Sequence, residues 1–227
     1  MAEVSGWVYA MKRVCIICEG ETEVEFVRTC LAPHFLAHNL LVRPSLIQSR
    51  HGNHRGGRVT VDRVASHISH EYHASDRVTT LVDFYGFQGA DGRNRAQLES
   101  DILQCLESKI DRFDARFVLP YVQMYEFEGL LFTDVEQFQY VLDGWSADAR
   151  SALLEVRNSF LTPEDINNSR ETAPSKRIRE VFSGGEYGKT EHGPLIAEAI
   201  GVQAIRQACP QFNEWLSKVE TWGALDE

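Results

Sequence analysis

No stretch of this sequence holds the long apolar run that a helix needs to cross a bilayer, so a membrane-embedded role is not expected. The first ten residues lack the apolar core of a secretory signal and read as an N-terminal extension, with the folded part beginning at Met11. Cysteine is sparse and odd in number: Cys15, Cys18, Cys30, Cys105 and Cys209. That argues against a disulfide framework and for reduced thiols in a cytoplasmic setting. The glycine-bearing loop over residues 51–58 lacks the Gly-Lys-Ser/Thr of a P-loop, which argues against nucleotide binding of that kind there. It has neither low-complexity tracts nor an internal repeat, which excludes a disordered or solenoid chain. Basic charge is also short, with 23 Lys and Arg against 33 Asp and Glu and a net charge of −10. A chain that grips nucleic acid unaided usually presents a basic face. Weak, salt-sensitive binding by the isolated chain is therefore expected. The surplus of acids suits a carboxylate-rich cation site instead.

What is present is enough apolar residue, 43% of 227, to build a packed core. Residues 12–18 form a short continuous apolar run, the signature of a buried parallel strand. Cys15 and Cys18 lie three apart within it and so face opposite sides of a strand, which reads as buried structural thiols rather than a metal or redox pair. A helical pattern follows over residues 21–38, with Val24, Val27, Leu31 and Phe35 on one face. Residues 45–48 read as a short second strand. Thr60 is a candidate cap for a helix reaching about residue 73. Residues 77–84 read as a third strand, 96–113 as a helix and 116–123 as a fourth strand. Further helices are expected over 126–142, 146–158, 175–182 and 194–215. Strands alternating with helices imply right-handed crossovers and an α/β fold with a parallel sheet flanked by helices. With no flexible linker visible, residues 11–227 read as one domain whose helical C-terminal part begins at about residue 134.

The acids fall where such a sheet would use them. Glu19 follows the first strand, Asp83 closes the third, and Glu126 and Glu128 come just after the fourth. Ligands of open α/β sheets bind beyond the carboxyl ends of the strands, so these positions can converge on one edge. Clustered carboxylates repel unless a cation neutralises them, and Mg²⁺ is the hard, oxygen-seeking ion for the task. The bland alternative is that each acid is a solvated strand-end residue. That is common for one such residue and less so for three.

Cys18-Glu19-Gly20-Glu21-Thr22-Glu23 resembles the hydrophobic-Glu-Gly-x-Thr-Glu opening of Toprim domains, especially the nuclease type of the OLD (overcoming lysogenisation defect) family. In that pattern the first Glu and the Glu four residues later serve the metal site, and they match Glu19 and Glu23. Leu81-Val82-Asp83-Phe84-Tyr85 resembles the second Toprim motif, Asp-x-Asp, with Tyr85 in the place of its second acid. Glu126 or Glu128 is the candidate to supply the missing charge. Four stretches together resemble a bacterial Toprim-like family known as a domain of unknown function, DUF4276. They are Val82-Asp83-Phe84-Tyr85-Gly86-Phe87, Tyr125-Glu126-Phe127-Glu128-Gly129-Leu130-Leu131-Phe132, Thr172-Ala173-Pro174-Ser175-Lys176-Arg177-Ile178 and His192-Gly193-Pro194-Leu195-Ile196-Ala197-Glu198. The resemblance implies a Toprim-like fold. It also implies Mg²⁺ (or Mn²⁺) held by Glu19, Glu23, Asp83, Glu126 and Glu128, and cleavage of phosphodiester bonds in nucleic acid, DNA before RNA. The partner it implies is a separately encoded AAA-type ATPase, in a phage-defence setting, with a homodimer as a further option.

Phosphate chemistry also wants side-chain cations. Lys176, at a helix start that Ser175 could cap, and Lys189, in a Gly-rich loop, are the candidates, with Glu19 and Asp83, for catalytic roles; each lysine alone reads more readily as a solvated surface cation. His51, His54, Arg55 and Arg58 decorate a polar, glycine-bearing loop that reads at least as well as a mobile surface loop as it does as a contact to a nucleic-acid backbone. His67, His70 and His73 lie three apart without acidic or cysteine partners in zinc spacing, so they read as a surface stripe. His192 is a helix-start residue or a proton shuttle. Two rival functions stand beside the nuclease. One is a catalytically degenerate interaction subunit that binds the ATPase and senses nucleic acid, which Tyr85 favours. The other is a phosphorelay receiver with Asp83 as phosphoacceptor, which the Glu-rich opening and the helical tail fit poorly.

Overall fold

Val14 to Cys18 are fully buried, which a strand achieves only when both faces of its sheet are covered. The computed structural model describes residues 11–47, 59–90, 92–167 and 169–224. In chain order its elements are β1 (Lys12–Cys18), α1 (Glu21–Phe26), α2 (Ala32–Leu36), β2 (Leu40–Leu46), α3 (Val61–Glu71), β3 (Arg77–Asp83), α4 (Arg95–Glu107), β4 (Val118–Leu119), β5 (Val122–Gln123), α5 (Ala147–Asn158), α6 (Pro174–Val181), α7 (Lys189–Ile200), α8 (Val202–Ala208) and α9 (Pro210–Thr221). The sheet runs β2-β1-β3-β4, with β5 also on β3, and every pairing is parallel. This is the expected α/β class.

Strand alternation divides the core in two. Val14, Ile16 and Cys18 pack with Val24 and Phe26 of α1, Ile196 of α7 and Phe212, Trp215 and Leu216 of α9. Cys15 and Ile17 pack on the other face with Val64 and Ile68 of α3 and Leu98 and Ile102 of α4. The two cysteines thus face opposite sides and stay unpaired. Burial pushes Cys15 up to about 12 and Cys18 well above the ordinary thiol value, which makes both inert at neutral pH. The C-terminal helices complete the α1 face of the sheet, and Trp215 stacks on Tyr121 at 4.8 Å.

Several elements differ from the sequence expectation. The second strand is Leu40–Leu46, not 45–48. It is an edge strand with half-buried residues and Pro44 within it, so its apolar pattern is weak. The first helix widens to a π turn over Val27–Leu31, just before Pro33 removes a donor. Residues 126–142 form two 3₁₀ stretches, Phe127–Thr133 and Val135–Tyr140, separated at Asp134, which caps the second through Glu136 N–H. Residues 194–215 belong to three helices: α7 begins earlier, at Lys189, Gly201 turns the chain at φ 81° after it, and Cys209-Pro210 starts α9. Ser175 is not a cap, because Ala173 holds that position and Pro174 leads α6. Residues 51–58 lie outside the described residues, and with them His51, His54, Arg55 and Arg58.

The fourth strand breaks between β4 and β5, where Pro120 lacks a ladder donor. Thr80 mends the gap: its hydroxyl accepts from Tyr121 N–H and donates to Tyr121 C=O, both at 2.7 Å. Thr79 Oγ1 donates to Leu119 C=O at 2.6 Å and accepts from Trp215 Nε1 at 2.8 Å. Thr80→Val keeps the shape and leaves a buried N–H and C=O unmet, which costs about 1–3 kcal/mol. The expected outcome is a lower urea midpoint with an unchanged slope; an unaltered midpoint would show that the strand break needs no mending.

Candidate functional site

Each acid is set in place by local chain chemistry. Gly20 precedes α1 in extended backbone, and the Glu23 carboxylate turns back to accept Gly20 N–H at 2.9 Å. A Cβ on Gly20 would lie 2.9 Å from Glu23 Oε2, so glycine leaves room for that return. Glu23 is therefore a buried helix cap behind the site, 3% exposed. Glu19 stands at the end of β1 and accepts Asp83 N–H at 3.3 Å. Its carboxylate lies against Gly86, where a Cβ would fall 2.1 Å from Oε2. Asp83, at the end of β3, accepts Phe127 N–H at 2.8 Å on Oδ1. Glu126 accepts Ser175 N–H at 2.9 Å. The first turn of α6 thus turns a backbone amide to this chain's own carboxylate.

Lys189, the first residue of α7, reaches across the cluster. Its Nζ lies 3.0 Å from Glu128 Oε2 and 4.0 Å from Asp83 Oδ2. Glu128 is wholly buried, and among the described residues nothing gives it a well-aligned hydrogen bond, so the lysine ion pair is what neutralises it. Glu19, Asp83, Glu126 and Lys189 together line a cleft of about 560 Å³, which Tyr85, Gly86 and Arg170 also wall.

The electrostatics follow from burial. Desolvation, then the charge of Glu23, pushes Glu19 up to about 7. Desolvation, then Glu23, raises Asp83 well above the carboxylate range. Glu128 is pushed up to about 7 by burial, against the pull of Lys189. Burial opposes the Lys189 charge, but Glu128 and Asp83 outweigh it and raise the ammonium pKa. One lysine thus serves a group of buried acids, and the all-oxygen donor set suits a hard divalent cation such as Mg²⁺.

Of the residues singled out in the sequence, Glu19, Asp83, Glu126 and Lys189 come together on the cleft. Glu23 and Glu128 sit behind it. Lys176 is exposed on α6 and is not among the residues that line it. Tyr85 lines the cleft but gives its hydroxyl to Asn167 Oδ1. His192 Nδ1 accepts Gly188 N–H at 2.9 Å and so ties down the start of α7, the helix-start reading. His67 is not a pure surface residue, since its Nε2 lies 2.8 Å from Ser45 Oγ, whereas His70 and His73 are exposed. Gly86 and Arg170 also line the cleft and were not singled out as site residues. Gly86 matters through the carboxylate it faces, and Arg170 sits in a 3₁₀ turn just ahead of the stretch that begins at Thr172.

Among the described residues, the one group of three potential ligand side chains with donor atoms within 4.8 Å of one another is His34, His38 and Glu220. Arg206 already pairs with both Glu220 oxygens, at 2.7 and 3.2 Å, so that cluster is neutralised without an ion and clasps α9 to α2. The cleft oxygens are spread more widely. That spacing fits an ion that keeps several waters and uses few protein ligands.

The fold and this edge define an α/β protein with a carboxylate cleft at the carboxyl ends of its parallel strands. The chain belongs to the DUF4276 family, a domain of unknown function, whose model matches residues 18–220. No curated protein matches it. Two solved structures of the C-terminal region of the OLD protein from Xanthomonas campestris pv. campestris are similar to this chain. One is 13% identical with a TM-score of 0.50, covering 93% of this chain and 94% of that one. The other is 14% identical with a TM-score of 0.48, covering 95% and 97%. At such identity the likeness to the first is one of fold.

Raised carboxylate pKa values carry a sign. A Glu19 that titrates near 7 when folded and near its ordinary value when unfolded stabilises the fold at low pH. That contribution is lost as pH rises through about 7. Without divalent cation, Glu19→Gln should therefore match wild type near pH 5 and exceed it in melting temperature at pH 8, and Mg²⁺ should narrow the gap. A gap that does not change with pH would refute the assignment. Gly86→Ala probes the same carboxylate without touching charge. The flexible end of Glu19 can yield, so the fold should hold while Mg²⁺ binding, read by calorimetry, falls at least about tenfold, as for loss of a ligand's supporting contact.

Proposed function

We propose that this chain is a Mg²⁺-dependent nuclease subunit that cleaves phosphodiester bonds in nucleic acid, working with a separately encoded AAA-type ATPase in phage defence. The observation that carries the reading is the convergence of Glu19, Asp83 and Glu126, from three separate strand ends, on one cleft with Lys189. The resemblance to OLD-type Toprim domains supplies the reaction class and the ATPase. The residues fit the ion by donor chemistry and by the unrelieved negative charge around them. Glu19, Asp83 and Glu126 would hold it, with Glu23 and Glu128 as the charged layer behind.

When bound, Mg²⁺ supplies a positive charge and a Lewis acid at the phosphate. The chain supplies the rest. Asp83 is oriented by Phe127 N–H and Glu126 by Ser175 N–H, so neither carboxylate has to be ordered when substrate arrives. Glu19, at the end of β1 against Gly86, would hold the ion or take the proton of an attacking water. Lys189, held over Asp83 and Glu128, faces the charge that develops on a non-bridging phosphate oxygen. The ATPase delivers or gates the substrate, since the chain has no P-loop and a net charge of −10.

Glu19→Gln and Asp83→Asn should each abolish metal-dependent cleavage by the assembled complex, with the fold retained. Tyr85→Asp should tighten Mg²⁺ binding, because it restores an acid to the cleft wall. Full activity in both charge-removing variants would overturn the assigned roles. A degenerate interaction subunit is the second reading, favoured by the Tyr85 hydroxyl being engaged by Asn167 and by Glu128 being neutralised by Lys189. Absence of specific divalent binding by wild type would select it.

A further inference from the structure

Three aromatic side chains stand directly beside the carboxylates. Phe84 and Tyr85 follow Asp83, and Tyr125 precedes Glu126. All three are partly exposed, unlike most aromatic residues of this chain's core. Their rings form one group: Tyr85 and Tyr125 at 5.4 Å and 39°, Phe84 and Tyr125 at 6.3 Å and 88°. The Arg170 guanidinium stands over the Tyr85 ring at 5.7 Å and donates to Phe87 C=O at 3.4 Å.

The arrangement is held against a backbone cost. Tyr125 has φ 62°, a left-handed conformation that a non-glycine residue adopts at about 1 kcal/mol or more. Tyr85 N–H donates to Tyr125 C=O at 3.1 Å and keeps the two segments in register. Asn167 accepts the Tyr85 hydroxyl and fixes the ring at the cleft wall. Glycine at position 125 would remove the strain, but it would also remove the ring.

We infer that Tyr85, Tyr125 and Arg170 form a stacking platform for unpaired nucleobases, so that the cleft takes single-stranded nucleic acid or a frayed end rather than intact duplex. The inference rests on the nuclease reading and narrows its substrate. In a duplex the base faces are covered by their neighbours, whereas an unpaired strand can lay a base on a ring while its phosphate reaches the carboxylate edge. Aromatic rings beside a guanidinium provide sequence-tolerant stacking and cation–π contact.

The test is fluorescence anisotropy with the full chain at low salt, Ca²⁺ replacing Mg²⁺. The probes are labelled oligothymidylate, its oligouridylate counterpart and a blunt duplex of equal length. Wild type should bind at least one single strand more tightly than the duplex. Tyr125→Gly should keep or raise the melting temperature yet bind single strands about tenfold more weakly, as expected for loss of one stacking ring. Tyr85→Leu should show the same loss, and Tyr85→Phe, which keeps the ring, should not. Equal affinity for strand and duplex, no measurable binding, or unchanged affinity in both Tyr125→Gly and Tyr85→Leu would overturn the platform. Because cleavage is not the readout, inactivity of the complex would count against the nuclease reading alone.

Discussion

The structure turns on the cost of gathering carboxylates at the carboxyl edge of a buried sheet. Glu19, Glu23, Asp83 and Glu128 are drawn together with little access to water, and Lys189 is the cation that reaches them. Backbone amides offset part of that cost, since Asp83, Glu126 and Glu23 each accept one, from Phe127, Ser175 and Gly20. What the amides and one ammonium leave uncompensated is the site's capacity for a cation. A stable fold has no reason of its own to assemble such a group, which is why perturbed carboxylates in a cleft point to function more than to structure.

That charge sits where the covalent order of the chain makes it easy to collect. Each parallel strand ends at the same edge, so the residue after β1, the last residue of β3 and the residues after β5 are neighbours although they are far apart in sequence. The C-terminal helices add what the strands cannot. Lys189 comes from the first turn of α7, and the Ser175 amide from the first turn of α6. Both helices are fixed by packing into the core they share with β1 and α1, so the tail is part of what shapes the edge.

The elements legible in the sequence are those buried on two sides or closed by a cap. β1 has the bounds its apolar run implies, Thr60 caps α3 through Arg63 N–H, and Ser146 caps α5 through Ala149 N–H. Legibility fails where tertiary contacts replace local pattern. Edge strand β2 needs only one buried face and tolerates Pro44. The fourth strand looks continuous from residue 116 to 123 because a threonine on β3, invisible to any local rule, carries the hydrogen bonds that Pro120 interrupts. For the site, the acids were readable from their position after strands, but the division between wall and background was not. Glu23 and Glu128 carry the same charge as Glu19 and Asp83. Only the capping turn at Gly20 and the reach of Lys189 assign them to the layer behind the cleft.

Tyr85 is where this chain departs from the Toprim Asp-x-Asp motif that the sequence resembles, and the electrostatics give the departure a physical sense. An aspartate at position 85 would stand on the same wall as Glu19 and Asp83, whose carboxyls burial and then the charge of Glu23 already hold above their ordinary pKa range. Glu126 brings negative charge to that wall from another segment, and it does so with a helix-start amide that a residue at position 85 does not have. With the charge supplied from elsewhere, position 85 need not carry an acid. It can then carry a ring whose hydroxyl is satisfied by Asn167 and whose face meets Arg170. The exchange lowers repulsion at the edge and puts an apolar, cation-backed surface next to the carboxylates. Loss of the second acid is therefore a redistribution of charge within one cleft.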